Sequence, residues 1–151
     1  MTDVESTPES DDFPAHGVLL GLDYGTRRVG IAVCTLDQTI ATPLNVLTRQ
    51  KPEIDGRFLL QLATEYEVVG VVVGLPLHLS GEEGAKAKES RTYGAWVNRT
   101  IELPVTFWDE RYTTVIAETH MIAADLSRKK RKTRIDKIAA QIMLQGYLDR
   151  R

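Results

Sequence analysis

Cysteine occurs once in these 151 residues, at Cys34, so the chain forms no internal disulfide and assembles no Cys-based zinc site. Histidine occurs three times, at His16, His78 and His120, with no mutual ligand spacing, and all three read as structural or solvated. Gly-Lys-Ser and Gly-Lys-Thr are absent, and Gly21, Gly25 and Gly30 do not fit GxGxxG, which argues against a P-loop and a dinucleotide fingerprint. The longest apolar run, residues 68–79, is interrupted by Gly70, Gly74, Pro76 and His78 and is too short to cross a bilayer. The first twelve residues are acidic and polar and lack the apolar stretch of a secretory signal, so a cytoplasmic protein with no membrane partner is expected.

What remains is the composition of a soluble globular domain, 42% hydrophobic and 26% charged. The length suits one domain that buries a core without staples. A net charge of −2 hides an asymmetry. Five acids (Asp3, Glu5, Glu9, Asp11, Asp12) and no base fall in residues 1–12, leaving 16 acids against 19 bases in the rest. Residues 1–16 read as a flexible acidic tail and residues 17–151 as the folded domain.

Strand-like runs at Val18–Asp23 and Arg28–Thr35, separated by a glycine turn, predict a hairpin, and a third strand around Leu44–Thr48 completes a meander. Phe58, Leu59, Leu62, Ala63 and Tyr66 recur at helical spacing before Val68–Val73, a continuous apolar run expected of a strand covered on both faces. A second helix carries Tyr93, Trp96, Val97, Thr100 and Ile101 and precedes a strand at Pro104–Trp108. A third helix is expected over Thr113–Leu126, and a last one from near Ile135 to near Asp149. The order βββαβαβα, with right-handed crossovers, makes an α/β fold in which the two later strands run parallel to the first.

Asp23 ends the first apolar strand on a charge. At the carboxyl edge of an open α/β sheet, where ligands bind, it meets Asp109 and Glu110 from the end of the last strand. Asp136, in the expected first turn of the last helix, is a third acid for that edge. Such carboxylates form a hard-oxygen site suited to Mg²⁺ or Mn²⁺. Taken singly, each acid has a structural explanation: Asp23 as a turn residue, Glu110 as a partner of Arg111, and Asp136 in the capping-box-like "TRID". Their common placement favours the site.

Arg128-Lys-Lys-Arg-Lys-Thr-Arg134 reads as a basic connection between the last two helices. Like-charge blocks are commonly solvated loops. Beside an acidic metal site, Arg128, Lys129, Lys130, Arg131, Lys132 and Arg134 would instead contact phosphates, adding affinity with little sequence preference. Arg27, Arg28 and Arg111 are further candidates for nucleic-acid contact.

The stretches GLDYGTRRVGIAV, VVGLPL with Gly81 and Gly84 after it, DERYTT and IDKIAAQIMLQGYL together resemble the YqgF family, also called RuvX, of the RNase H-like superfamily. The resemblance covers Val18 to Leu148 and implies a five-stranded mixed sheet flanked by helices. It assigns Asp23, Glu110 and Asp136 as catalytic acids, and Arg111, Thr113 and Thr114 as supporting residues. Cys34-Thr35 stands where the family often has Ser-Asp, and LHLSG replaces an Asn-Met-Asp-Gly type loop, departures that touch substrate contacts rather than chemistry. The implied activity is metal-dependent phosphodiester hydrolysis by two ions. The resemblance offers two substrates: an rRNA precursor, cut at the 5′ end of pre-16S rRNA, or branched DNA, cut by a Holliday junction resolvase. A resolvase would be a homodimer, whereas a processing nuclease could act as a monomer. A non-catalytic RNA-binding protein is a third reading. "LDYGT" also resembles the phosphate loop of actin-like and sugar-kinase ATPases, but those enzymes close two such domains and this chain supplies one.

Overall fold

The computed structural model describes residues 12–110 and 128–150. The elements run β1 (Val18–Tyr24), β2 (Arg28–Cys34), β3 (Ala41–Thr48), α1 (Pro52–Glu65), β4 (Val68–Leu75), α2 (Ala85–Ile101), β5 (Val105–Asp109) and α3 (Arg128–Leu148). The helix expected at Thr113–Leu126, with Arg111, Thr113 and Thr114, lies outside the described residues. The strands form one sheet in the order β3-β2-β1-β4-β5. β1 pairs antiparallel with β2, and β2 with β3. β4 joins β1 in parallel and β5 joins β4 in parallel, which is the expected five-stranded mixed sheet.

Side chains alternate across each strand, so the sheet has two unlike faces. Leu20, Leu22, Val29, Ile31, Val71 and Val73 cover one face and pack against Leu59 and Leu62 of α1 and Tyr93 and Val97 of α2. Leu19, Ala32, Cys34 and Val72 line the other, beneath Ala140, Met143, Leu144 and Tyr147 of α3. This second face also carries glycines. A Cβ on Gly21 would lie 2.9 Å from the Cβ of Leu144, and one on Gly30 would lie 2.0 Å from the backbone oxygen of Asp136. The missing side chains let α3 descend onto β1 and β2.

α3 also covers the exposed edge of β3. The Gln145 side chain accepts from the Ala41 N–H at 2.8 Å and donates to the Thr39 carbonyl at 2.9 Å. Gln141 donates to the Ala41 carbonyl. Edge backbone groups that would otherwise invite another strand are thereby satisfied.

Two boundaries differ from the sequence reading. The last helix begins at Arg128 rather than near Ile135, so the basic run is helical and not a connecting loop. Straight-chain Lys and Arg are good helix formers, and helix propensity outweighs the like-charge repulsion that suggested a break. Asp136 consequently sits in the third turn, and "TRID" is not a capping box. The N-terminal segment also packs before Gly17: the Phe13 ring meets Tyr147 edge-on at 6.0 Å and lies against Gly70, which has no side chain to exclude it. Gln38, buried and left-handed at φ 57°, donates its amide to the carbonyls of Pro14 and Gly17.

Candidate active site

Asp23 is the sixth residue of β1, and its register neighbour on β2 is Gly30. On the β4 side, the register that pairs Leu22 with Val73 brings Gly74 beside it. Asp23 thus stands between two glycines on the α3 face. Each glycine admits one other acid. The Asp136 backbone crosses over Gly30, and a Cβ on Gly74 would lie 2.6 Å from a carboxylate oxygen of Glu110. Glu110 follows β5 and donates its backbone N–H to the Leu75 carbonyl at 3.2 Å. The adjacent Asp109 shares the sheet edge but, by strand alternation, faces the other side.

The side chains of Asp23 and Glu110 hydrogen-bond to each other. Burial is the main reason the Glu110 carboxyl is pushed up to about 10, reinforced by the charge of Asp23, their shared hydrogen bond and the charge of Asp109. Burial also raises Asp23; the bond from Glu110 opposes that rise and the charge of Asp136 adds to it. At neutral pH Glu110 therefore keeps its proton and donates it to the Asp23 carboxyl group.

Asp136 is placed differently. Its Oδ2 accepts from the Arg28 Nε at 2.5 Å, with both side chains about a third exposed or less. Arg28 is therefore tied to this acid, while Arg27 is exposed in the β1–β2 turn. Among the described residues no three His, Cys, Asp or Glu side chains form a ready-made metal cluster. The structure brings Asp23 and Glu110 into contact and sets Asp136 across Gly30, close enough for its charge to act on Asp23.

The donor chemistry nevertheless fits a hard divalent cation. Every candidate donor is a carboxylate oxygen. Two of the acids, half-buried at this edge, sit so close that Glu110 keeps its proton, and a cation would relieve the same repulsion that the proton now relieves. Asp23 and Glu110 would hold such an ion, with Asp136 adding negative charge beside them.

A cavity of about 250 Å³ opens at this edge and brings in residues that the sequence reading missed: Tyr24, Thr26, Lys86, Glu89 and Ser90. The last three belong to the first turns of α2, which begins eight residues before the Tyr93 that marked this helix in the sequence. A helix start after the "GEEG" stretch was the available signal. His78 is exposed, with its ring against Gly84 and its backbone closing the turn that contains LHLSG.

A family model described as "RuvX: Holliday junction resolvase" matches residues 17–150. The chain belongs to the RuvX family. A protein of Rhodopirellula baltica named "Putative pre-16S rRNA nuclease" is 42% identical over 144 residues, covering 95% of this chain and 83% of that one. A Rhodobacter capsulatus protein of the same name is 44% identical over 147 residues, covering 95% and 92%. Among solved structures, T. thermophilus RuvC in complex with a Holliday junction superposes with a TM-score of 0.54 at 16% identity, covering 88% of this RuvX chain and 94% of RuvC. The fowlpox virus resolvase with its junction DNA gives a TM-score of 0.52 at 12% identity, covering 87% and 97%. At such identities these likenesses establish the shared RNase H-type fold. The family and its named relatives are nucleases, hydrolases of phosphodiester bonds.

Proposed function

We propose that this RuvX protein is a divalent-metal-dependent nuclease that trims the 5′ end of pre-16S rRNA, with Asp23, Glu110 and Asp136 as its catalytic acids. The observation that carries this reading is the close Asp23–Glu110 pair, half-buried beside Gly74 and lining a cavity at the carboxyl edge of the sheet. Asp23 and Glu110, with Asp136 beside them, would hold Mg²⁺ or Mn²⁺, which would supply an activated water and positive charge for the leaving 3′ oxygen. The chain's own residues do the rest. Glu110 would lose its proton to solvent as the ion enters, leaving two carboxylates as a paired oxygen donor. Gly74 keeps the floor beneath Glu110 open, and Gly30 sets the depth of Asp136. Arg28 holds Asp136 in place, and Lys86 offers a positive charge at the cavity. The basic run Arg128–Arg134, leading along α3 to Asp136, contributes phosphate contacts without sequence preference.

The rRNA substrate is supported by the names of the full-length relatives. A second reading, resolution of Holliday junctions by a homodimer, is supported by the description of the matching family. End-labelled rRNA precursor and four-way junction DNA, each incubated with and without metal, separate the two. The expected result is metal-dependent cleavage of the RNA, abolished in Asp23→Asn with an unchanged circular dichroism spectrum. Paired symmetric cuts in the junction by a dimer would favour the second reading. Tight RNA binding with no cleavage at any metal concentration would leave a binding protein.

A further inference from the structure

A second cavity of about 400 Å³ adjoins the catalytic one, and Tyr24 and Glu89 belong to both. Its other walls include Arg49, Tyr93, Trp96 and Arg99. The aromatic rings form a continuous series: Tyr24 and Tyr93 have centroids 4.6 Å apart, and Tyr93 and Trp96 5.5 Å apart. Arg49 lies over Tyr24 at 4.8 Å. It is locked there by hydrogen bonds to the Tyr24 hydroxyl at 3.0 Å and the Thr26 carbonyl at 2.8 Å. The second observation is independent of the rings. Ser90 Oγ and the Tyr93 hydroxyl are buried without a hydrogen-bond partner among the described residues, one bordering each cavity. They stand three residues apart on α2, on the same helix face. Ser90 is 1% exposed and Tyr93 8%, so water does not readily satisfy either.

We infer that the second cavity receives the unpaired nucleobase next to the scissile phosphate, stacked on Trp96 at the open end of the Tyr24–Tyr93–Trp96 series, with the Tyr93 hydroxyl beneath it. The inference rests on the nuclease reading for its register: a strand held at Asp23 and Glu110 has its neighbouring nucleotide beside the shared wall. A buried hydroxyl without a partner is costly unless a ligand completes it. Both hydroxyls lie just beneath the cavity walls, closed to water in the free protein, and a bound nucleotide supplies their acceptors as it parts those walls. A partly exposed indole face stacks on any base, and Arg49 and Arg99 offset Asp55 and Glu89 on the cavity wall. The volume lies within the roughly 300–1,000 Å³ of small-ligand sites. A base-paired nucleotide cannot offer its face to the rings, so the pocket selects unpaired strand at the cut site.

The test uses the full chain carrying Asp23→Asn, without metal, and a single-stranded oligonucleotide containing 2-aminopurine, whose fluorescence falls on stacking. The expected result is quenching on binding, with the single strand preferred over a blunt duplex of the same length. Adding Trp96→Ala should abolish most of the quenching and weaken single-strand binding roughly tenfold or more. Trp96→Phe should restore much of both, which separates stacking from misfolding. Tyr93→Phe should keep the quenching and lose several-fold in affinity. Equal affinity for duplex and single strand, or quenching and affinity unchanged in Trp96→Ala, would overturn the inference. Quenching that persists in a protein lacking nuclease activity towards every substrate would overturn the catalytic reading and leave the base pocket standing.

Discussion

The two faces of the sheet are built on opposite principles. Towards α1 and α2 the central strands present Leu20, Leu22, Val29, Ile31, Val71 and Val73, all fully buried, and the packing is dense and apolar. Towards α3 the same strands present Gly21, Gly30, Gly70 and Gly74, and the space is taken by a helix, an N-terminal phenylalanine and two carboxyl groups. One face supplies stability by burying side chains. The other omits side chains so that charged groups can approach the backbone closely at one edge.

Adding a methyl group to the α3 face, or removing two from the other, tests this contrast, and Gly30→Ala should have the largest effect. Its Cβ would fall 2.0 Å from a backbone oxygen, which no rotamer change relieves, so α3 must move. A loss of about 3 kcal/mol or more in urea unfolding is expected, with loss of cleavage. Gly74→Ala meets the Glu110 side chain instead, which can swing away. Its stability cost should be smaller, while cleavage per folded molecule falls about 100-fold because a catalytic group is displaced. Val73→Ala, next in the chain but on the opposite face, should reverse that pattern and lower stability with metal-dependent turnover retained.

The carboxylate pair adds a pH dependence that the apolar face lacks. Glu110 titrates near its ordinary 4.5 when unfolded and at about 10 when folded, so between those values the folded metal-free protein binds the extra proton. Its stability must therefore fall as pH rises through that window, by up to ~1.4 kcal/mol per pH unit. Glu110→Gln should flatten the slope and make the metal-free protein more stable at pH 9 than its parent, as read by thermal unfolding. A smaller effect is expected of Phe13→Ala, about 1–3 kcal/mol, because this ring lies partly buried over Gly70.

The sheet was legible in the sequence because its signals are local. A continuous valine run marks β4, turn glycines mark the β1–β2 hairpin, and apolar spacing marks α1. Asp23 was legible too, since a charge terminating an apolar strand is anomalous by itself. Asp136 was expected in the first turn of its helix and stands in the third, because a dense basic run resembles a loop when propensity and repulsion compete. Crowded acids alone predict that at least one pKa is raised; which two of the three come into contact was not legible. It depends on Gly74 lying beneath Glu110, a contact between residues 36 positions apart that no spacing rule encodes. The Phe13 contact failed for the same reason: one aromatic in an acidic segment gives no periodicity, and only the bare backbone at Gly70 explains where it goes.

The central claim is that Asp23 and Glu110 hold a proton in the place of a divalent cation. Calorimetric titration of Mg²⁺ or Mn²⁺ at pH 7, repeated in buffers of different ionisation enthalpy, counts the protons that metal binding displaces. The account predicts release of close to one proton per chain in the parent protein and almost none in Glu110→Gln. Metal binding with no proton release, or release unchanged in Glu110→Gln, would contradict it.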